Sequence, residues 1–203
     1  MREDLPVIDS KESLRRYLAA DLAGHQLTRW RPHHRLTYRP LYFQRLLRKS
    51  EYWYNVRTDP IGRVVFAWYA LRTKLLGERL GFTVPRNVFG PGLSIAHAGT
   101  LVVNPEARVG ARCRIHQGVS LASGASYPVI GDDVFIGPNA VIIGATVGHR
   151  VEVRPGAVVI KDVPADVHVA GVPAKIIHDF REHTGCPATS RSSSPNRSRP
   201  GSR

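Results

Sequence analysis

The chain has 203 residues, is 42% hydrophobic and carries a formal charge of +13. That length allows one sizeable core or a small helical region joined to a second unit, and the composition is that of a soluble globular protein. The longest apolar run, VVFAWYAL at 64–71, is far too short to span a bilayer, and the charged start MREDLPVIDSKES lacks the apolar stretch of a secretory signal, so a cytoplasmic location is expected. Cys113 and Cys186 lie 73 positions apart with no C-x-x-C, which excludes a disulfide framework and a structural zinc.

The charge sits at the ends. Residues 1–80 hold 16 Lys/Arg against 8 Asp/Glu, residues 81–178 hold 8 against 6, and residues 179–203 hold 5 against 2. A basic end suits a solvated surface, an anionic lipid surface or a phosphorylated lipid-linked substrate. No nucleic-acid-binding signature accompanies it, so nucleic acid is not expected as a partner.

Residues 1–80 read as a helical N-terminal region. In SKESLRRYLAADL, Ser10 and Ser13 form a weak cap, and Leu14, Tyr17, Leu18 and Leu22 recur at helical period. The basic, aromatic stretch RWRPHHRLTYRP follows, where Pro32 and Pro40 are expected to break any helix. Asp59 as cap and Pro60 at the first helical position then open a helix whose stripe Val64, Trp68, Leu71 and Leu75 must pack against something.

From about 81 the period changes to six. Val109, Ile115, Ile130, Ile136, Ile142, Val147, Val153 and Val159 are aliphatic, with one five-residue step between Ile142 and Val147. Small or β-branched residues recur four positions after most of them, at Cys113, Val119, Val134, Ala140, Val151, Ala157 and Val163. Such a repeat is too short for helix pairs or propeller blades and belongs with the hexapeptide β-helices, each hexad a short strand and a turn. The expected fold is therefore mainly β, a left-handed parallel β-helix over 81–178 preceded by helices over 1–80. The Ser-, Arg- and Pro-rich tail, 179–203, is expected to be disordered.

With the hexads, the stretches IAHAGT, IHQGVSL, VVIKDVP and AGVPAKII resemble acyltransferases of the serine acetyltransferase type. The resemblance implies 18-residue coils of triangular section, a homotrimer, and acetyl-CoA lying between two subunits as a co-substrate, with no permanently bound cofactor. It puts His97 at the family's catalytic histidine, where an imidazole titrating near neutrality takes the acceptor's hydroxyl proton. It also implies that Lys161 and Lys175 meet the phosphates of CoA, and that Pro138, Pro155 and Ile160 line its groove through their main chains. His116 ranks below His97, because its neighbour Ile115 points inward and it should face outward. His149, His168 and the pair His33-His34 read as solvated, and no histidine spacing suits a metal.

Three acceptor-side positions depart from the family. Ala96 stands where an aspartate precedes the catalytic histidine, Phe82 replaces a second active-site aspartate, and Ser126-Tyr127-Pro128 replaces Arg-His-Pro. A zwitterionic substrate needs its charges paired when desolvated, so these changes point to a sugar of a polysaccharide precursor, with Phe82 and Tyr127 stacking on the ring. GPGLSIAH, VVNP and IHQGV resemble a branch of the family found with polysaccharide assembly. The alternatives are serine O-acetylation through other contacts and, from another class, a non-catalytic β-helix that binds a partner.

Overall fold

The computed structural model describes residues 7–179; the ends, with the tail expected to be disordered and Cys186 in it, lie outside the described residues. Four helices come first: α1 (Lys11–Gly24), α2 (His34–Thr37), α3 (Arg39–Val56) and α4 (Pro60–Leu80). The Ser10 side chain accepts from the Ser13 N–H, and Ser13 returns a bond to the Ser10 N–H, so the two serines make a full capping box. Pro40 does not break a helix. It sits in the first turn of α3, where the missing N–H has no intrahelical acceptor to serve. Asp59 caps α4 by accepting from the Gly62 N–H, and Gly81 closes it in the left-handed conformation at φ 79°.

The packing face of α4 is not the expected one. Gly62, Thr73, Gly77 and Leu80 are buried, and Gly77 lets the helix come so close that an added Cβ would stand 2.9 Å from the Phe82 carbonyl. The apolar stripe Val64, Trp68, Leu71 and Leu75 faces solvent instead.

From Phe82 the chain winds into a parallel solenoid. One sheet stacks β1 (Phe82–Thr83), β3 (Leu101–Val103), β6 (Ser120–Ala122), β9 (Val141–Ile143) and β12 (Val158–Val159). A second stacks β4 (Arg108–Val109), β7 (Val129–Ile130) and β10 (Thr146–Val147). The third stacks β2 (Ser94–Ile95), β5 (Arg114–Ile115), β8 (Phe135–Ile136), β11 (Glu152–Val153) and β13 (Val167–Gly171), and ends in the antiparallel β14 (Ala174–Asp179). All the periodic aliphatics and their small companions point into the prism and are buried.

The coils are less uniform than 18 residues each. Ile115 pairs with Ile136, 21 positions on, and Ile136 with Val153, 17 on. Two insertions stand out. Leu121 and Ile130 are nine positions apart where a hexad would have six, which creates the loop that carries Tyr127. Ile95 and Val103, paired with Ile115 and Leu121, are eight positions apart where their partners are six apart. That longer corner carries His97.

A different corner is clipped by charge. Arg112, Asp133, Arg150 and Asp166 all take positive φ, and Arg112 is bidentate to Asp133 as Arg150 is to Asp166. A non-glycine left-handed residue costs about 1 kcal/mol or more, which these paired charges offset only in part, being exposed.

The helices close the first coil, and one core runs through both parts: Phe43, Leu47 and Leu80 pack with Phe82, Val88, Phe89, Leu93 and Ile95. A buried polar cluster fixes the join. Arg48 pairs with Asp21 at 3.0 Å and Glu51 at 3.2 Å, and donates to the carbonyls of Phe89 and Gly90. Asp21 accepts from the Gly92 and Leu93 N–H groups, and Glu51 from Asn87. Gln44 donates to the Leu93 carbonyl and accepts from the Ile95 N–H, two residues before His97.

Candidate active site

Four coils share the corner at which the third sheet gives way to the first. The Gly118 N–H donates to Thr100, Asn139 to Gln117, and Gly156 to Pro138, so residues 97–100, 116–118, 137–139 and 154–156 stack as one edge. Gly118, at φ 77°, is required there because a Cβ would collide with Asn139. His97 stands exposed at the head of this edge on the lengthened corner. The His116 ring lies 5.9 Å from it, centroid to centroid, and 5.1 Å from Phe135 on the other side.

His116 is thus nearer the candidate base than its sequence position suggested. Burial holds its pKa below the ordinary histidine range, reinforced by Arg114 and by His97, so it is held neutral. Beside it the Gln117 Oε1 is buried without a hydrogen-bond partner among the described residues. No carboxylate among the described residues is hydrogen-bonded to His97, in keeping with Ala96 at the position before it.

A pocket of about 280 Å³ opens beside His97. The first coil contributes Ala96, His97 and Ala98, and the helical front His25, Thr37 and Tyr38. The polar cluster shapes this wall too. The His25 Nε2 lies 2.8 Å from the Gln44 Oε1, an acceptor, so His25 donates there and its Nδ1 is left as an acceptor. Burial lowers the His25 pKa, against the opposing pull of Gln44 and Asp21, and keeps the ring neutral. The wall holds no carboxylate and no lysine or arginine. Sequence reasoning missed His25, Thr37 and Tyr38, because nothing in the chain's local pattern brings residues 25 and 38 to residue 97.

Of the three acceptor-side expectations, Ala96 lines this pocket. Phe82 does not. Its ring is buried in the core, edge-on to Phe43 at 5.1 Å, so it is unavailable to stack on a ligand. Tyr127 is exposed on its loop, away from the pocket wall.

On the donor side, Pro138 and Pro155 stand on the edge headed by His97, and the Pro138 carbonyl already accepts from Gly156 at 2.9 Å. Lys175 continues in that direction, paired in register with Ala170 beyond β11. Ile160 and Lys161 follow β12 and so sit at the other border of the first sheet; both are exposed.

Of the histidines expected to be solvated, His33 and His149 are exposed, His168 is half-buried and His34 is buried. His34 is buried, its Nδ1 accepting from the Arg31 N–H, among Trp30, His33 and Tyr38. His149 accepts from the Asp132 N–H, and His168 pairs with Glu152 at 3.1 Å. No group of three or more metal-ligating side chains converges among the described residues.

Comparison with known proteins agrees with this arrangement. The bacterial transferase hexapeptide family (six repeats) matches residues 127–161. A serine acetyltransferase of Brucella abortus strain S19, solved in complex with coenzyme A, superposes with a TM-score of 0.60 at 30% identity, covering 83% of this chain and 67% of that one. The chain belongs to the hexapeptide-repeat transferases. Among curated members, this hexapeptide-repeat chain is 36% identical over 95 residues to a serine acetyltransferase of Synechococcus elongatus, covering 44% of itself and 39% of that protein. It is also 54% identical over 57 residues to a 2,3,4,5-tetrahydropyridine-2,6-dicarboxylate N-acetyltransferase of Clostridium perfringens, covering 28% of itself and 24% of that enzyme. The chain therefore spans less than half the length of either curated relative. The repeats are shared by enzymes named for different acceptors.

Proposed function

We propose that the protein transfers an acetyl group from acetyl-CoA to an acceptor hydroxyl, with His97 as general base. His97 takes the hydroxyl proton as the oxygen attacks the thioester carbonyl; the new C–O bond replaces the C–S bond, and the proton passes to the departing CoA thiolate. The observation that carries this reading is the position of His97, on the one lengthened corner of its edge and at the wall of a pocket. The edge supports the donor side: five strand steps of about 4.8 Å separate the His97 coil from Lys175, a span an extended pantetheine arm with its nucleotide can cover. Lys175 is the cation offered to the phosphates beside Pro138 and Pro155, while Lys161 and Ile160, at the other border of the first sheet, would reach the donor held at a neighbouring protomer's His97 edge in a homotrimer. A homotrimer, in which a neighbour closes the open side of His97, fits its exposure in a single protomer.

For the acceptor, L-serine has the stronger support. The Brucella structure and the Synechococcus relative are named serine acetyltransferases, and a pocket of about 280 Å³ is at the small end for ligand sites, fit for an amino acid rather than a chain of sugars. A saccharide hydroxyl is kept as a second reading on one observation, the lack of any carboxylate in the pocket wall to pair an ammonium group. Thiol release from acetyl-CoA, with L-serine in one series and sugars or nucleotide sugars in the other, tests both. Serine-dependent release supports the first reading and saccharide-dependent release the second; release with neither removes the transferase assignment in favour of a binding protein.

A further inference from the structure

The outer face of α4 is an unpartnered apolar stripe. Ile61, Val64, Trp68, Leu71 and Leu75 are between 48% and 72% exposed, while the opposite face of the helix packs inward. Isolated exposed aliphatics need no explanation, but five along one helix face form a continuous patch of the kind that marks an interaction site.

Its surroundings identify the occupant. At 3.6 residues per turn, Arg72 and Arg79 border the stripe on one side, and Glu78, Lys74 and, farther round, Arg63 follow on the other. Glu78 is the single acidic residue of the helix, paired with Lys74 at 3.9 Å. Arg72 lies over the Trp68 ring at 5.0 Å, so its stem covers apolar surface while its head remains wet. A second copy of this face would bring like charge against like charge, which opposes self-pairing. A basic helix with Trp and Leu on its apolar face matches instead an interfacial segment lying in the plane of an anionic bilayer.

We propose that α4 is a peripheral membrane-docking helix, its stripe entering the headgroup boundary and its flanking cations meeting anionic lipid. This is independent of the acetyl-transfer reading, since the docking needs neither donor nor acceptor. No described helix is long and apolar enough to cross a membrane, so the contact is one of lying on the surface.

The test is sedimentation of the full chain with vesicles of phosphatidylcholine alone or mixed with phosphatidylglycerol, read alongside Trp fluorescence. Binding to the anionic vesicles, weak or absent on the neutral ones and falling with salt, is expected. Leu71→Ser/Leu75→Ser and Arg63→Glu/Lys74→Glu should each lower vesicle affinity by about tenfold or more, because both apolar insertion and charge contribute. The altered side chains are exposed, so the melting curves should not move. No binding to anionic vesicles, equal binding to both kinds, or self-association that Leu71→Ser/Leu75→Ser abolishes in place of vesicle binding would overturn the proposal.

Discussion

On the proposed reading His97 is the side chain on which the chemistry depends, and it stands without an aspartate partner. The corner that carries it is two residues longer than the corners below, which lifts the ring out of the regular coil. The neutral imidazole of His116 lies alongside. His25 supplies a second neutral ring in the pocket wall, and it has a consequence for pH. Because burial holds its pKa below the ordinary 6.5, the unfolded chain takes up a proton that the folded chain refuses as the pH falls below that value. The contribution is therefore fully present above about pH 6.5 and declines below it. Urea midpoints measured from pH 7.5 to 5.5 should fall, and His25→Gln should flatten part of the fall; an unaltered slope would contradict the assignment. Cys113, by contrast, is buried inside the prism, and that burial pushes its thiol up to about 12.

At the scale of elements, the sheets were legible in the sequence and the front helices only in part. A six-residue period places each aliphatic inside the prism irrespective of what surrounds it, so Ile115, Ile136 and Val153 could be assigned from spacing alone. Ile136→Ala should cost about 2–5 kcal/mol in chemical denaturation, as other buried aliphatic truncations do. Helix α3 was obscured because its inner face carries Gln44, Arg48 and Glu51, side chains that local pattern assigns to solvent. The stripe of α4 misled in the opposite sense, being apolar and outside. Arg48 explains the inversion: two carboxylates and two backbone carbonyls surround it, and although burial alone would lower its pKa, Asp21 and Glu51 raise it. Burial in turn raises Glu51, against the pull of Arg48, as expected where two carboxylates share one cation. Arg48→Met leaves both carboxylates buried and unpaired and should destabilise by about 3–5 kcal/mol, visible as a lowered thermal midpoint.

At the scale of the whole molecule, the front helices act as the cap that a solenoid needs at its end, and as one wall of the pocket. Both roles join residues far apart in sequence, which is why neither the pocket nor the polar cluster could be read from the chain. A protein beginning at Gly81 would expose the apolar end formed by Phe82, Phe89 and Leu93, and it should aggregate or melt well below the full chain. A fragment as stable as the full chain would show that the cap is dispensable. The face proposed to dock on a membrane lies on the same cap, on the opposite side of α4 from the packed core, so one small helical unit closes the solenoid, lines the pocket beside His97 and presents the charge.

The central claim is that His97 is the base of an acetyl transfer. Its most direct test is thiol release from acetyl-CoA by the wild-type chain and by His97→Ala in the presence of the acceptor that works, with CoA affinity measured on both. A loss of about 10²–10⁴ in turnover at unchanged CoA affinity and melting temperature is the predicted result. An unchanged rate in His97→Ala would contradict it.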